Sequence, residues 1–398
     1  MEIKDAKKPA KFFGLSRNVI SMGAVSFLND LSSDMIFPFI PIFLTSTLGA
    51  GASFVGLVEG TADAAASVLK LFSGRLSDKL KIRKPFTVFG YGLSAIAKPI
   101  LAIAAAPWQV LAVRFLDRVG KGTRDAPRDA LISLSSEKKY FGRAFGFHRA
   151  ADTLGAAFGP LLAFLILPLI NNNLRTLFLL SFVASFFAVL ILQIFVREVR
   201  GDKIAETEAP PLKFEFKKLG FPFIVFLVCA TLFTLGRGSE AFLLLKAKEA
   251  GLALAFLPII YFVYNITLAV FSTPAGILSD KIGHRNTFML GMLVFSATYF
   301  LFGRINSLFG IWILFALYGF YAALTEGVGK AIVGGLVEEK MRATAYGIYS
   351  AFTGIALLPA SLIFGLLWEN FNSSVSFYFG ASLGLISFFL FLFLRIKR

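Results

Sequence analysis

Apolar residues run along this chain in twelve blocks, each close to the roughly 20 residues a helix needs to cross the hydrocarbon of a bilayer. The blocks cover approximately 18–45, 51–74, 86–106, 108–132, 144–168 and 175–196, then 220–246, 252–275, 287–305, 308–334, 346–369 and 374–394. The pattern predicts an all-α membrane protein with twelve transmembrane helices. Between the sixth and seventh blocks lies REVRGDKIAETEAPPLKFEFKKLG, Arg197 to Gly220, charged at both ends with a Pro pair in the middle. It reads as a linker. The expected organisation is a tail at 1–17, a six-helix bundle at 18–196, a linker at 197–219, a second six-helix bundle at 220–394 and a short end at 395–398.

The polar punctuation between the blocks repeats. GRLSDKLKIRK, Gly74 to Lys84, between the second and third blocks, returns as GILSDKIGHR, Gly276 to Arg285, between the eighth and ninth. EKKYFGRAFG, Glu137 to Gly146, entering the fifth, returns as EEKMRATAYG, Glu338 to Gly347, entering the eleventh. A spacing of about two hundred residues in both cases makes the chain a duplicated object. Two parallel halves imply a pseudo-two-fold axis along the membrane normal.

Composition supports the pattern: 57% of the 398 residues are apolar, 15% aromatic and 16% charged, with 47 Phe. The net charge of +16 sits in short bursts between the blocks, a topogenic arrangement rather than a nucleic-acid groove. Lys and Arg before the first block, in both Gly-started turns, in the linker and at the carboxy terminus fall on one side, so both termini are expected to be cytoplasmic, in a bacterial inner membrane. The basic amino terminus runs into an apolar block with no small-residue cleavage site and reads as a tail, not a signal peptide. One cysteine, Cys229, excludes an internal disulfide, and two histidines exclude a histidine-rich metal centre; no cofactor is expected.

At these residues the chain resembles the major facilitator superfamily, over essentially its whole length. That family carries G-x-L-x-D-[RK]-x-G-[RK]-[RK] between its second and third helices and a weaker copy between its eighth and ninth. Here the second copy matches better, with Gly276, Leu278, Asp280, Lys281, Gly283 and Arg285. The first has Gly74, Leu76, Asp78, Lys79, Arg83 and Lys84, but Lys81 stands where the late Gly belongs and Ile82 looks inserted. The resemblance implies a cytoplasmic gate latch: Gly for close helix approach, Asp78 and Asp280 as helix-end acceptors or ion-pair partners across the halves, and basic residues facing anionic lipid. In the fifth block Gly155, Gly159 and Pro160 resemble the G-x-x-x-G-P pattern of the drug:proton antiporter branches, where small residues pack helices and Pro frees a carbonyl. The usual trailing Gly pair is absent, with Ala163 and Phe164 in its place.

Ionisable residues inside spanning helices are candidates for function because each costs several kcal/mol to bury. Asp30 and Asp34 are four apart on the first helix, and Glu59 and Asp63 are four apart on the second. If both pairs face inward, four carboxylates line one half of a cavity and need protons or basic partners. Candidate partners are Lys98 on the third helix and a stripe on the fourth: Arg114, Arg118, Lys121, Asp125 and Arg128. Either Arg114 or Arg118 fits the fourth-helix Arg that the family links to proton coupling. Arg149 and Asp152, near the cytoplasmic end of the fifth helix, read as gate residues. The second half differs: Tyr261 and Asn265 stand where Glu59 and Asp63 stand in the first, and its few buried charges are Arg237, Glu240, Glu326 and Lys330.

Without a phosphate-binding loop or a soluble ATPase domain, the expected activity is secondary transport: a monomer that moves a small organic solute by alternating access, driven by protons, most simply as export. Proton-coupled uptake or facilitated diffusion of a polar or anionic nutrient, with Arg118 and Lys98 as ligands, is the transport alternative. An embedded enzyme lacks a recognisable nucleophile and base. A receptor or scaffold would have no use for so many buried charges.

Overall fold

In a computed structural model, residues 15–137, 140–199, 219–338 and 341–393 are described, and they form twelve long helical spans. These are α1 (Arg17–Thr47), α2 (Ala52–Leu80), α3 (Lys84–Ile103), α4 (Pro107–Leu134), α5 (Phe141–Leu169) and α6 (Leu174–Phe195), followed by α7 (Phe221–Glu249), α8 (Leu257–Ile282), α9 (His284–Arg304), α10 (Leu308–Leu336), α11 (Arg342–Asn370) and α12 (Ser373–Phe393). Local chemistry starts them. Ser16, Asn173, Ser239 and Ser307 accept first-turn amides of α1, α6, the second part of α7 and α10. Prolines occupy the first turns of α3, α4, α7 and α8, where a missing N–H costs nothing.

Eleven spans are long and apolar enough to cross a membrane. The exception is α4, whose 28 residues include eight charged ones. Its length suffices; its charges are tolerable because most are turned toward neighbouring helices. Large apolar side chains such as Phe89, Phe158, Leu165 and Phe393 are exposed on the outside, where a bilayer would cover them.

The first helix of each half is irregular at matching places. In α1 the α-helix ends at Ile36 and continues through a 3₁₀ turn at Phe37–Phe39, with Pro38 and then Pro41, and a wide turn at Phe43–Thr47. In α7 the helix stops at Gly236 and restarts at Glu240. Two hundred residues separate the two irregularities, as the repeat requires.

The Gly-started motifs belong largely to helices rather than turns. α2 runs to Leu80 and α8 to Ile282, so the turns are Lys81–Arg83 and the single residue Gly283. Gly283 adopts φ 92°, open to glycine; Lys81 adopts φ 54°, the left-handed region, at some cost for a side chain. The first turn is thus longer by two residues, which is why Ile82 looks inserted. Ser77 Oγ donates to the Ile82 carbonyl at 2.8 Å, and its counterpart Ser279 bonds His284 Nδ1 at 2.6 Å.

The halves meet along α2 and α11, with smaller contacts between α5 and α8. At the end carrying the 48–51 and 371–372 turns they touch closely. A Cβ on Gly365 would lie 2.8 Å from Ser53 Cα, and one on Gly60 2.9 Å from Leu358 Cα. Phe37 packs on Tyr261 at 5.1 Å and Phe164 on Phe256 at 5.8 Å, again across the halves. Glu369 at the end of α11 accepts from the Ser53 amide at 3.0 Å and from its hydroxyl, capping α2 from the opposite half. At the other end, where the Gly-started motifs lie, the places of Gly146, Gly276, Gly327 and Gly335 have no atom within 4 Å, and Lys121, Arg149, Glu326 and Lys330 are exposed. The bundles therefore close at one end and splay at the motif end. Glu369→Ala should weaken the closed end by about 1 kcal/mol, the usual worth of an N-cap; amide exchange at Ser53 to Val55 should accelerate about fivefold, and unchanged exchange would count against the cap.

Candidate functional site

The charged stripe of α4 is divided between neighbours. α2 and α4 run parallel, and three pairs connect them at one constant offset of 55 residues: Glu59 with Arg114, Asp63 with Arg118, and Lys70 with Asp125. The first is bidentate, Arg114 Nη2 to Glu59 Oε2 at 2.7 Å and Nε to Oε1 at 3.1 Å, with Glu59 1% and Arg114 6% exposed. Arg114 Nη1 also donates to Asp117 at 3.4 Å. The second and third rungs are looser, 3.7 and 3.9 Å, and nearer water. Small residues let the helices approach: a Cβ on Gly122 would stand 2.7 Å from the Ala66 carbonyl oxygen, and Ser73 Oγ donates to the Gly122 carbonyl at 2.8 Å.

The four carboxylates do not form one cluster. Glu59 and Asp63 are engaged by arginines, whereas Asp30 and Asp34 have no cation within ion-pair distance among the described residues. Asp30 accepts from Asn29 Nδ2 at 3.0 Å, and Ser26, one turn away on the same face of α1, reaches Asp152 of α5. Asp152 accepts from Ser26 Oγ and lies 3.7 Å from Arg149, which is otherwise exposed. Gly155 and Gly159 make this meeting possible: side chains there would strike the α1 backbone, at 3.0 Å from Leu31 N for Gly155 and 2.8 Å from Met35 N for Gly159. Pro160 is buried inside the continuous α5 and leaves the Ala156 carbonyl without its helical donor.

Lys98 is not a partner of these carboxylates. It is 3% exposed and donates to Ser185 Oγ, which donates to Ser32 Oγ at 2.7 Å, which donates to the Ser181 carbonyl. Beside it a cavity of about 20 Å³, lined by Lys98, Arg114 and Asp117, has room for one water. Arg124, flanking the stripe, faces α3 and donates to Ser94 at 2.6 Å over the Tyr91 ring.

The second half presents a different surface. At the break in α7, Arg237 lies 3.5 Å from Glu240, Tyr318 donates to Glu240 at 3.3 Å, and Arg237 donates to Tyr321 at 3.4 Å. Around them Tyr261, Tyr264, Tyr299, Tyr318 and Tyr321 stack with ring separations of 4.8 to 6.1 Å. Such a surface suits the flat or polar parts of a small molecule. Tyr299 carried no signal in the sequence among so many aromatics. Glu326 is exposed on α10 without an ion-pair partner among the described residues.

Where they are described, the latch residues make their contacts within their own halves. Arg285 donates to the Phe391 and Leu392 carbonyls at 3.1 and 2.7 Å, tying α9 to α12 within its own half. The Arg83 and Lys84 amides donate to Glu198 at 2.8 to 3.1 Å, tying the start of α3 to the chain after α6. Gly74 approaches α4, with Ala126 Cβ 3.0 Å from a would-be Cβ, but Gly276 has no close neighbour. Asp280 is exposed with no ion-pair partner among the described residues; the side chain of Asp78 lies outside them, as do the tail, most of the linker, and the Lys pair of the fifth-helix entry.

Two six-helix bundles touching at one end, with charges and polar rings on the helices around the space between them, are the architecture of a membrane transport protein. The sequence profile of the Major Facilitator Superfamily matches residues 22–245 and 226–398, and the chain belongs to that family. It is 37% identical to an uncharacterized MFS-type transporter of Methanocaldococcus jannaschii, over 96% of this chain and 95% of that one. It is 28% identical to the multidrug resistance protein MdtH of Photorhabdus laumondii over 40% of this chain and 38% of MdtH. A crystal structure of the nucleoside transporter NupG (D323A mutant) superposes with a TM-score of 0.79, covering 94% of this chain and 98% of that one at 16% identity, a likeness of fold.

Breaking the buried first rung should be costly. Arg114→Ala strands Glu59 and is expected to destabilise the purified protein by about 3–5 kcal/mol, while Glu59→Met with Arg114→Met recovers most of the loss. Denaturation midpoints of the two variants check this; equal losses would argue against the pair as the source.

Proposed function

We propose that this chain is a proton-driven secondary transporter that exports a small organic solute by alternating access, working as a monomer with its termini and motif end in the cytoplasm of a bacterial inner membrane. The observation that carries the reading is the close approach of α1 and α5 at Gly155 and Gly159, where Ser26, one turn from Asp30, donates to Asp152. Two carboxyls brought together in a low-dielectric interior resist being ionised at once, and the one ion-pair contact of either among the described residues is Arg149 with Asp152, at 3.7 Å and exposed. On this reading the proton is held by the carboxyls of Asp30 and Asp152, with Asp34 a turn from Asp30.

Both helices reach the second half. α1 does so through Phe37 on Tyr261, and α5 through Phe164 on Phe256. Removing the proton places two like charges between α1 and α5 in a low-dielectric setting, which favours a repacked or hydrated arrangement. The proton therefore has different affinities in the two facing states, and a few kcal/mol of difference is enough to drive the exchange. The solute is assigned to the cavity between the Arg118–Asp63 rung and the tyrosine surface at Arg237 and Glu240. Export is supported by the Gly155, Gly159 and Pro160 pattern and by the likeness to a multidrug resistance protein over part of the chain.

In proteoliposomes, flux of a panel of small organic solutes should accelerate under an imposed pH gradient, with internal proton release tracking solute entry in the antiport sense. Asp30→Asn or Asp152→Asn should lower gradient-driven flux about tenfold or more while leaving solute exchange without a gradient. Flux indifferent to the gradient in the unaltered protein would sink proton coupling, and proton and solute moving in the same direction would replace export with uptake.

A further inference from the structure

At the closed end, away from the motif turns, a second cavity of about 420 Å³ lies between the halves. None of its lining residues is among those placed in transport: one wall comes from the end of α1 and the turn into α6, the other from the end of α7 and the turn before α8. Its charged lining residues are Arg175 from the first half and Lys248 from the second, with no acidic residue among those that line it. Thr47 and Asn172 add polar groups, and Phe43 forms an apolar floor.

The two cations are not neutralised locally. Arg175 spends Nη1 on the Ala102 carbonyl at 2.7 Å and lies 5.2 Å over the Phe43 ring, leaving its other nitrogens available. Lys248 is exposed and has no ion-pair partner among the described residues. The nearest acid in sequence, Glu249, is engaged by Lys246 at 3.4 Å and Ser373 at 3.0 Å. Lys246 itself is buried on Asn306 and Ser373 and is not among the lining residues. Like charges facing one cavity from opposite halves push the halves apart unless an anion lies between them.

We propose that this cavity binds a phosphate-type oxyanion, bridged by Arg175 and Lys248, that holds this end of the transporter shut. An Arg fork and a Lys ammonium together suit a tetrahedral oxyanion, and the apolar floor suits either a lipid headgroup with its first methylenes or free phosphate. Because the walls come from different halves, rocking of the bundles takes the site apart. The anion therefore binds the closed-end state preferentially and shifts the population toward it.

The full-length protein in nanodiscs of neutral lipid provides the test. Spin labels at Leu169→Cys and Phe309→Cys, exposed positions at the closed end in opposite halves, on a Cys229→Ser background, report the separation. Inorganic phosphate at constant ionic strength, against chloride, should raise the melting temperature and narrow the label distances to the short population. Replacing part of the neutral lipid by phosphatidylglycerol is the second arm. A response to phosphate identifies a free oxyanion, and a response to phosphatidylglycerol alone identifies a headgroup. In either case Lys248→Gln should weaken the response about tenfold, the loss of one charge-assisted contact, and Lys248→Arg should keep it. No response in either arm, or an undiminished response in Lys248→Gln, overturns the proposal. Neither result bears on proton coupling, since Lys248 lies outside the carboxyl pair.

Discussion

Charge inside a membrane must be paired, and the Glu59–Arg114 contact is where this chain meets that demand most fully. A helix with eight charged residues spans only if its neighbours answer them. α2 answers at a fixed offset, because parallel helices keep register and equal steps along one match equal steps along the other. The ladder fixes α2 against α4, and α2 then offers its glycine-bearing face to α11 across the halves. The contact between bundles is in this sense inherited from an ion-pair ladder inside one bundle. The ladder loosens from 2.7 to 3.9 Å toward the open end, where water can share the work.

The halves repeat in architecture and diverge in chemistry. Both begin with an interrupted helix, through prolines in α1 and through the Gly236 to Ser239 break in α7. In the first half the adjoining space holds carboxylates, arginines and a buried lysine relay. In the second it holds tyrosines around a single Arg–Glu pair. A duplicated frame thus carries one charged and one aromatic wall.

Much was legible in the order of residues. Twelve spans, the repeat and the packing role of Gly155 and Gly159 all follow from periods and spacings. Glu59, Asp63, Arg114 and Arg118 were recognisable as opposing sets, because steps of four on two helices imply two aligned faces. The partners of Lys98 and Asp152 were not recognisable. Ser185 and Ser26 lie 87 and 126 residues away, and which faces meet depends on the rotation of each helix about its axis. The Gly-started motifs misled in another way: they look like turns by composition, yet most of each is helix, since their Leu, Ser, Asp and Lys residues continue α2 and α8 without strain.

What the sequence alone determined is therefore everything carried by one-dimensional period: an all-α membrane chain, twelve crossings and two related halves. Tertiary structure alone decided which carboxylates are met by arginine and which are not, that Arg285 ties helices within its half, and that one end closes with two cations facing a common cavity. The physical reason is that burial cost applies along every helix, whereas pairing energy depends on distances of a few ångströms between residues remote in the chain. Those distances exist only after the helices have packed.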